Sequence, residues 1–89
     1  MMDVVWSDEA LQVLDYLLEK WTIKEIENFE IRFDKLILRL QIHKEICPKS
    51  KLLNYRKCFI DKNNSLIYQD VNNMIFLVAI IDNKSSHSY

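Results

Sequence analysis

The hydrophobic period of this 89-residue chain changes at Pro48, its only proline. Before that point, apolar residues recur every three or four positions, as on the buried face of an α-helix. After it, apolar and polar residues alternate over short segments that are separated by Asn and Asp, which is typical of strands joined by tight turns. The sequence therefore predicts an α+β fold, with helices first and an antiparallel sheet second.

Helix-capping residues precede two apolar stripes of helical period. Ser7 offers a cap for a first helix, and Thr22 with Glu25 has the spacing of a capping box for a longer second helix. We expect a helical hairpin over about residues 7–45, ended by Pro48, with the apolar segment 4–6 added to the sheet as a strand.

The second helix carries apolar residues beyond its main stripe, namely Ile31, Leu38 and Ile42. A second contact with the core and a surface for a partner both explain them.

Three strands are predicted after Pro48, over about residues 52–60, 65–71 and 73–82, as a meander within residues 51–82. The last strand is apolar at every position from 74 to 81, so both of its faces need cover. The helices can cover only one face. We therefore expect the chain to be dimeric or poorly soluble until a partner covers the other face or an edge strand, with Ile75, Leu77, Ala79 and Ile81 as contacts. Residues 1–89 form one domain in this interpretation, with 83–89 as a flexible tail.

Composition excludes several classes of protein. The chain has no glycine, which removes the phosphate-binding loop, the dinucleotide fingerprint and the glycine-flanked nucleophile elbow. No apolar run approaches the roughly 20 residues of a spanning helix, and Met1-Met2-Asp3 lacks the basic region that begins a signal peptide. We therefore expect a cytoplasmic protein without a membrane partner. Cys47 and Cys58 are expected to be free thiols, because nothing directs the chain to an oxidising compartment. Their spacing from His43 matches no usual zinc site, and we expect neither a metal nor a cofactor.

Charge is distributed unevenly along the chain. Residues 44–62 carry six basic and two acidic side chains, whereas residues 1–43 carry five basic and nine acidic ones. This basic segment, which includes Lys51, Tyr55, Arg56 and Lys57, is a candidate surface for an anionic target. An edge strand protected by solvated lysines explains it equally. In the tail, Lys84, His87 and Tyr89 offer groups for acid–base chemistry on RNA, although a solvated tail is the simpler interpretation.

The order of the predicted elements, with Val5-Trp6-Ser7 at the start, Tyr55-Arg56 in the first hairpin and Leu66-Ile67-Tyr68 in the next strand, resembles the RelE/ParE toxin superfamily over residues 4–82. The resemblance implies a toxin of a type II toxin–antitoxin pair, neutralised by a cognate antitoxin. RelE-like members cleave messenger RNA on the ribosome, and ParE-like members act on DNA gyrase without being enzymes.

The same resemblance favours the ParE-like branch. Cys58, Ser65 and Asn83 stand where ribonuclease members carry basic residues that would stabilise the transition state. Lys51, Tyr55, Arg56 and Lys57 are then the expected target contacts. The first alternative is a ribosome-dependent ribonuclease that uses Arg56, Lys84, His87 and Tyr89. The second is a non-toxic interaction domain.

Overall fold

The computed structural model describes residues 2–51 and 54–84. In chain order, the elements are β1 (Asp3–Trp6), α1 (Asp8–Lys20), α2 (Ile23–Ile42), β2 (Arg56–Phe59), β3 (Asn64–Val71) and β4 (Met74–Asp82). The strands form one sheet in the order β1-β4-β3-β2. The β2–β3 and β3–β4 pairs are antiparallel, as predicted, and the α+β architecture is confirmed. β1 runs parallel to β4, so the complete sheet is mixed.

Both helices begin at the predicted caps. The Ser7 hydroxyl accepts a hydrogen bond from the Ala10 amide at 3.0 Å. At the second helix, the Glu25 amide donates to the Thr22 hydroxyl at 3.2 Å, and the Thr22 amide donates to the Glu25 carboxylate at 3.0 Å. These bonds satisfy amide groups that a helix start otherwise leaves unpaired.

α2 ends earlier than the sequence predicts. It stops at Ile42, with His43 as its C-cap, and not at about residue 45. The carbonyl groups that follow accept hydrogen bonds from side chains of the sheet, as described below, and these bonds replace the next helical turn. β2 begins at Arg56, later than the predicted residue 52, and Arg56 also pairs with Lys49 as an isolated antiparallel bridge. Residues 52 and 53, where the predicted strand starts, lie outside the described residues.

The tight turn between β3 and β4 is formed by asparagine instead of glycine. Asn72 and Asn73 have φ values of 48° and 65°, in the left-handed region. Asparagine tolerates this region better than other residues with a Cβ atom, and two such residues in succession suit a tight hairpin. The two-residue Asn turn that the sequence predicts is therefore confirmed.

The core lies between the helices and one face of the sheet. Its buried members are Phe29, Leu36, Leu40, Cys58, Ile60, Leu66, Tyr68, Ile75, Leu77 and Ile80. Side chains that alternate with these on the strands, such as Ile67 and Ala79, point to the second face, yet they are only 0% and 3% exposed. The expectation that the centre of this second face is left uncovered is therefore wrong. Among the helices of the described residues, none is long and apolar enough to cross a membrane.

One bulge changes which β4 residues face the helices. The register passes from Ile67 opposite Ala79 to Tyr68 opposite Leu77, so Val78 is an extra residue. Its carbonyl oxygen accepts a hydrogen bond of 2.6 Å from the Ser7 hydroxyl. Ser7 therefore caps α1 and also ties that helix to the bulge in the central strand.

Candidate functional site

Residues 43–50 form a strap that runs from the end of α2 along the outer side of β2. The Lys57 amide donates to the Pro48 carbonyl at 3.1 Å. Lys49 pairs with Arg56 as an antiparallel bridge. The strap carries Lys44 and Lys49, both exposed, so part of the predicted basic surface is fixed along one edge of the sheet.

A disulfide between Cys47 and Cys58 joins the strap covalently to β2. The prediction of two free thiols is wrong, because the fold brings the two Cα atoms to 5.4 Å, within the usual range for a bridge. The sequence could not show this proximity, which depends on the strap folding back over β2. With their sulfur atoms bonded to each other, neither cysteine is available to bind a metal together with His43.

Arg56 lies under the strap, and its guanidinium forms hydrogen bonds to other groups of the protein. Its Nε donates to the Asp70 carboxylate at 3.2 Å, and the two side chains are only 15% and 21% exposed. Its Nη1 donates to the Cys47 carbonyl at 2.8 Å and reaches the Glu45 carbonyl at 3.5 Å. These hydrogen bonds hold the strap and β3 together, and the role of Arg56 as a target contact stays a prediction.

Tyr68, the tyrosine of the Leu66-Ile67-Tyr68 segment, also holds the strap. Its side chain is fully buried, and its hydroxyl donates to the Lys44 carbonyl at 2.7 Å. Burial raises the pKa of the Tyr68 phenol above its ordinary value. It therefore stays neutral at physiological pH and acts as a hydrogen-bond donor.

Ser65 and Asn83, which occupy two positions where ribonuclease relatives were expected to carry arginine, contact each other. The buried Ser65 hydroxyl donates to the Asn83 side-chain oxygen. The Asn83 amide group donates to the carbonyls of Asp61 and Lys62 at 3.2 and 3.1 Å. This pair fastens the end of β4 to the turn between β2 and β3, so both residues have a structural role and neither supplies a positive charge.

The other predicted target contacts keep some surface. Lys51 is exposed, and Tyr55 and Lys57 are half-buried. Lys57 points to the second face of the sheet, with its Nζ 5.9 Å from the centre of the Phe59 ring. Phe59 itself is 72% exposed, which gives this corner of the sheet an aromatic and a cationic group side by side.

The residues predicted to contact an antitoxin divide into two groups. Ile75 and Leu77 are 0% exposed and belong to the core under the helices, so neither has surface to offer a partner in this fold, and that assignment is corrected. Ala79 is 3% exposed. Ile81 is half-buried and lines a groove of about 700 Å³ together with Tyr16 and Trp21.

Of the predicted ribonuclease residues in the tail, Lys84 is described and exposed, while His87 and Tyr89 lie outside the described residues. Asp70, which forms an ion pair with Arg56, was not among the residues predicted for the site. Asp70 lies two residues after Tyr68 and so points to the same face of β3. That alternation was the signal that could have identified it.

No protein-family model matches the chain, and no curated sequence matches it. Solved structures do match. A copper-bound mutant toxin from Helicobacter pylori has a TM-score of 0.72 at 18% identity, covering 93% of this chain and 96% of that one. The YoeB dimer from Staphylococcus aureus has a TM-score of 0.67 at 15% identity, covering 88% and 92%. YafQ in the DinJ-YafQ complex of E. coli has a TM-score of 0.61 at 12% identity, covering 92% and 93%.

These likenesses extend over nearly the full length of both chains in each pair. At such low identity they concern the backbone and not the side chains. The chain therefore has the fold of these bacterial toxins.

Proposed function

We propose that this protein is the toxin of a type II toxin–antitoxin pair and that it acts on RNA, as RelE-like toxins do. The proposal rests on the structural similarity, over nearly the full length, to the Helicobacter pylori toxin, to YoeB and to YafQ. YoeB and YafQ are toxins of the RelE kind, which cleave messenger RNA on the ribosome. This favours the ribonuclease alternative over the gyrase-directed, ParE-like interpretation, which finds no support among these structures.

The strap and its surroundings suit the binding of a phosphate backbone. Lys44, Lys49 and Lys51 are exposed along one edge of the sheet. Phosphate contacts of this kind position a nucleic acid without reading its sequence. Phe59, next to Lys57, offers a ring on which an unpaired base can stack. We infer that a single-stranded segment of RNA crosses this corner.

The chemistry of cleavage has few candidate groups. The 2′-hydroxyl must lose a proton, the leaving oxygen must gain one, and the charge on the phosphorus centre must be stabilised. Four side chains at positions considered for cleavage already have partners in the protein. Cys58 is in a disulfide, and the others form hydrogen bonds, namely Arg56, Ser65 and Asn83. The proposal therefore assigns acid–base work to His87, because imidazole titrates near neutral pH. Lys84 and Tyr89 are the remaining candidates for charge stabilisation and positioning.

Inducible expression in bacteria tests this function, with growth and the ends of messenger RNA as separate readouts. The wild type is expected to arrest growth and to cut messenger RNA on ribosomes. His87→Ala should abolish the cuts, whereas Ser86→Ala, which removes a hydroxyl at the adjacent residue, should keep them. Replacing Lys49 and Lys51 together with alanine should weaken cleavage, whereas Lys24→Ala on α2 should not.

Two results would contradict the proposal. Growth arrest with intact messenger RNA would refute the ribonuclease mechanism and return attention to a non-enzymatic target. Normal growth at high expression, with the protein folded, would instead support the non-toxic interaction domain.

A cognate antitoxin is part of the same proposal. The similar structures include a YoeB-YefM complex and a DinJ-YafQ complex. We propose the groove of about 700 Å³ that contains Ile81, Tyr16 and Trp21 as its contact. Ile81→Asp should then allow growth arrest to persist when the antitoxin is expressed with the toxin. Leu11→Asp, at an exposed apolar residue away from the lining, should leave neutralisation intact.

A further inference from the structure

α2 has a second apolar face that residues 2–51 and 54–84 leave exposed. Ile31, Leu38 and Ile42 are 56%, 51% and 69% exposed. They are spaced by seven and then four residues, so they lie along one side of the helix. The core residues Phe29, Leu36 and Leu40 lie on the other side. Exposed leucine and isoleucine in a line along a helix mark a surface for association.

The spacing is that of a coiled-coil seam. If Ile31 and Leu38 take position d of a heptad, then position a falls on Asn28, Lys35 and Ile42. All five residues are exposed. An asparagine or lysine at position a weakens a coiled coil but favours a defined register, so a pair of such helices is expected to be specific and of moderate affinity.

The charges beside this seam identify the partner. Position g holds Glu27 and Asp34, and position e holds Arg32 and Arg39, all of them exposed. Glu25, the first residue at position e, belongs to the capping box at the start of the helix. In a parallel pair, a residue at g faces the e residue five positions later in the other helix. In a parallel pair of α2 helices, Glu27 of each copy therefore faces Arg32 of the other, and Asp34 faces Arg39. The two-fold axis makes each of these ion pairs occur twice. An antiparallel pair would instead bring the acidic residues Glu27 and Asp34 against each other at g, and Arg32 and Arg39 against each other at e.

The four charged residues are available for such pairing. Within residues 2–51 and 54–84, the ion pair that the structure shows is between Arg56 and Asp70, which involves none of them. We propose that two copies of this chain associate through α2, as a short parallel coiled coil built on Ile31, Leu38 and Ile42. This proposal concerns self-association and stands apart from the proposed toxin activity.

The mass of the full-length protein, measured by sedimentation equilibrium from about 1 μM to 1 mM, tests the association. The wild type should shift from monomer to dimer within this range. Leu38→Asp should raise the dissociation constant by roughly 100-fold, because it places two charges in the seam. Leu11→Asp is the matched control, since Leu11 is also an exposed leucine but lies on α1. It should leave the dissociation constant unchanged. Circular dichroism and thermal unfolding should show that both variants remain folded.

Charge reversal tests the orientation. Asp34→Arg should weaken a parallel dimer, because it sets the new arginine against Arg39 of the other copy. Adding Arg39→Asp should restore the dimer. An increase in affinity for Asp34→Arg alone would indicate an antiparallel pair and overturn the proposed arrangement. A monomer at every concentration would overturn the proposed surface, also where an antitoxin binds there instead. A dimer that Leu11→Asp disrupts and Leu38→Asp does not would overturn it as well.

Discussion

Arg56 holds three segments of the protein with one side chain. Its guanidinium bonds to the Asp70 carboxylate of β3 and to the Cys47 carbonyl of the strap, while its backbone belongs to β2. Arginine suits such a position, because it stays charged and presents several donors in fixed directions. Arg56, which the sequence analysis assigns to target binding, therefore has a structural role in the fold.

We expect Arg56→Ala to lower the free energy of unfolding by about 2 to 3 kcal/mol, because Asp70 and the Cys47 carbonyl lose a charged partner. Urea denaturation at neutral pH measures the change. Lys57→Ala, at the next residue on the opposite face, should cost less than about 1 kcal/mol. If Arg56→Ala abolished activity while leaving stability unchanged, the structural role assigned here would be refuted.

The contribution of Tyr68 to the stability of the protein depends on pH in the alkaline range. Because burial raises its pKa in the folded protein, the unfolded chain loses this proton first, near pH 10. The contribution of Tyr68 to stability is therefore complete below about pH 10 and is lost as the pH rises through the folded-state pKa.

Tyr68→Phe should lower the free energy of unfolding by about 1 kcal/mol at pH 7, through loss of the bond to the Lys44 carbonyl. It should also reduce the decline in stability from about pH 10 upward. Thermal unfolding across this range provides the measurement. Tyr16→Phe, at a side chain that is 60% exposed, controls for the loss of a hydroxyl elsewhere. An identical alkaline decline in Tyr68→Phe and the wild type would contradict the assignment.

At the scale of elements, the junction between β1 and α1 is fixed by a single serine. Ser7 caps α1 and donates to the Val78 carbonyl at the bulge of β4. Thr22 caps α2 in a capping box of its own, but its bonds are local and exposed. The two caps therefore differ in how much of the fold depends on them.

Ser7→Ala should cost about 2 kcal/mol of unfolding free energy, because both the Ala10 amide and the Val78 carbonyl lose a partner. Thr22→Ala, the matched change at the other cap, should cost about 1 kcal/mol. Chemical denaturation of both variants under the same conditions compares them. Equal costs would show that the bond to the bulge contributes nothing measurable.

The elements differ in how far the sequence predicts them. Helix starts and the Asn72-Asn73 turn are local, so the residues that specify them are adjacent in the chain. The inward residues of β4 were not predictable, because every position from 74 to 81 is apolar and alternation carries no signal there. The bulge at Val78 then shifts the pattern again. The strap depends on Tyr68, more than 20 residues away, which no local pattern reveals.

At the scale of the whole molecule, the disulfide restricts the unfolded chain more than the folded one. Cys47 and Cys58 are 11 residues apart, so their bond closes a short loop. For a loop of this size, the loss of unfolded-state entropy corresponds to about 3 kcal/mol. In the folded protein, Arg56 and Tyr68 already hold the strap in place by hydrogen bonds.

Reduction of the disulfide should therefore lower the free energy of unfolding by about 2 to 3 kcal/mol and leave the fold intact. Denaturation with and without a thiol reductant measures this, and the double variant Cys47→Ser with Cys58→Ser should match the reduced wild type. The double variant should show no effect of reductant. A reduced protein that lost its helical signal at low temperature would contradict the idea that the hydrogen bonds alone can hold the strap.

The strand order has a consequence for synthesis. β4 lies between β1 and β3, so the first strand to leave the ribosome pairs only with the last one. Until residues 74–82 emerge, β1 has no neighbour and the buried face of the helices has no central strand to cover it. A nascent chain interrupted before that point cannot assemble the sheet. This domain therefore reaches its folded form only after β4 has left the ribosome.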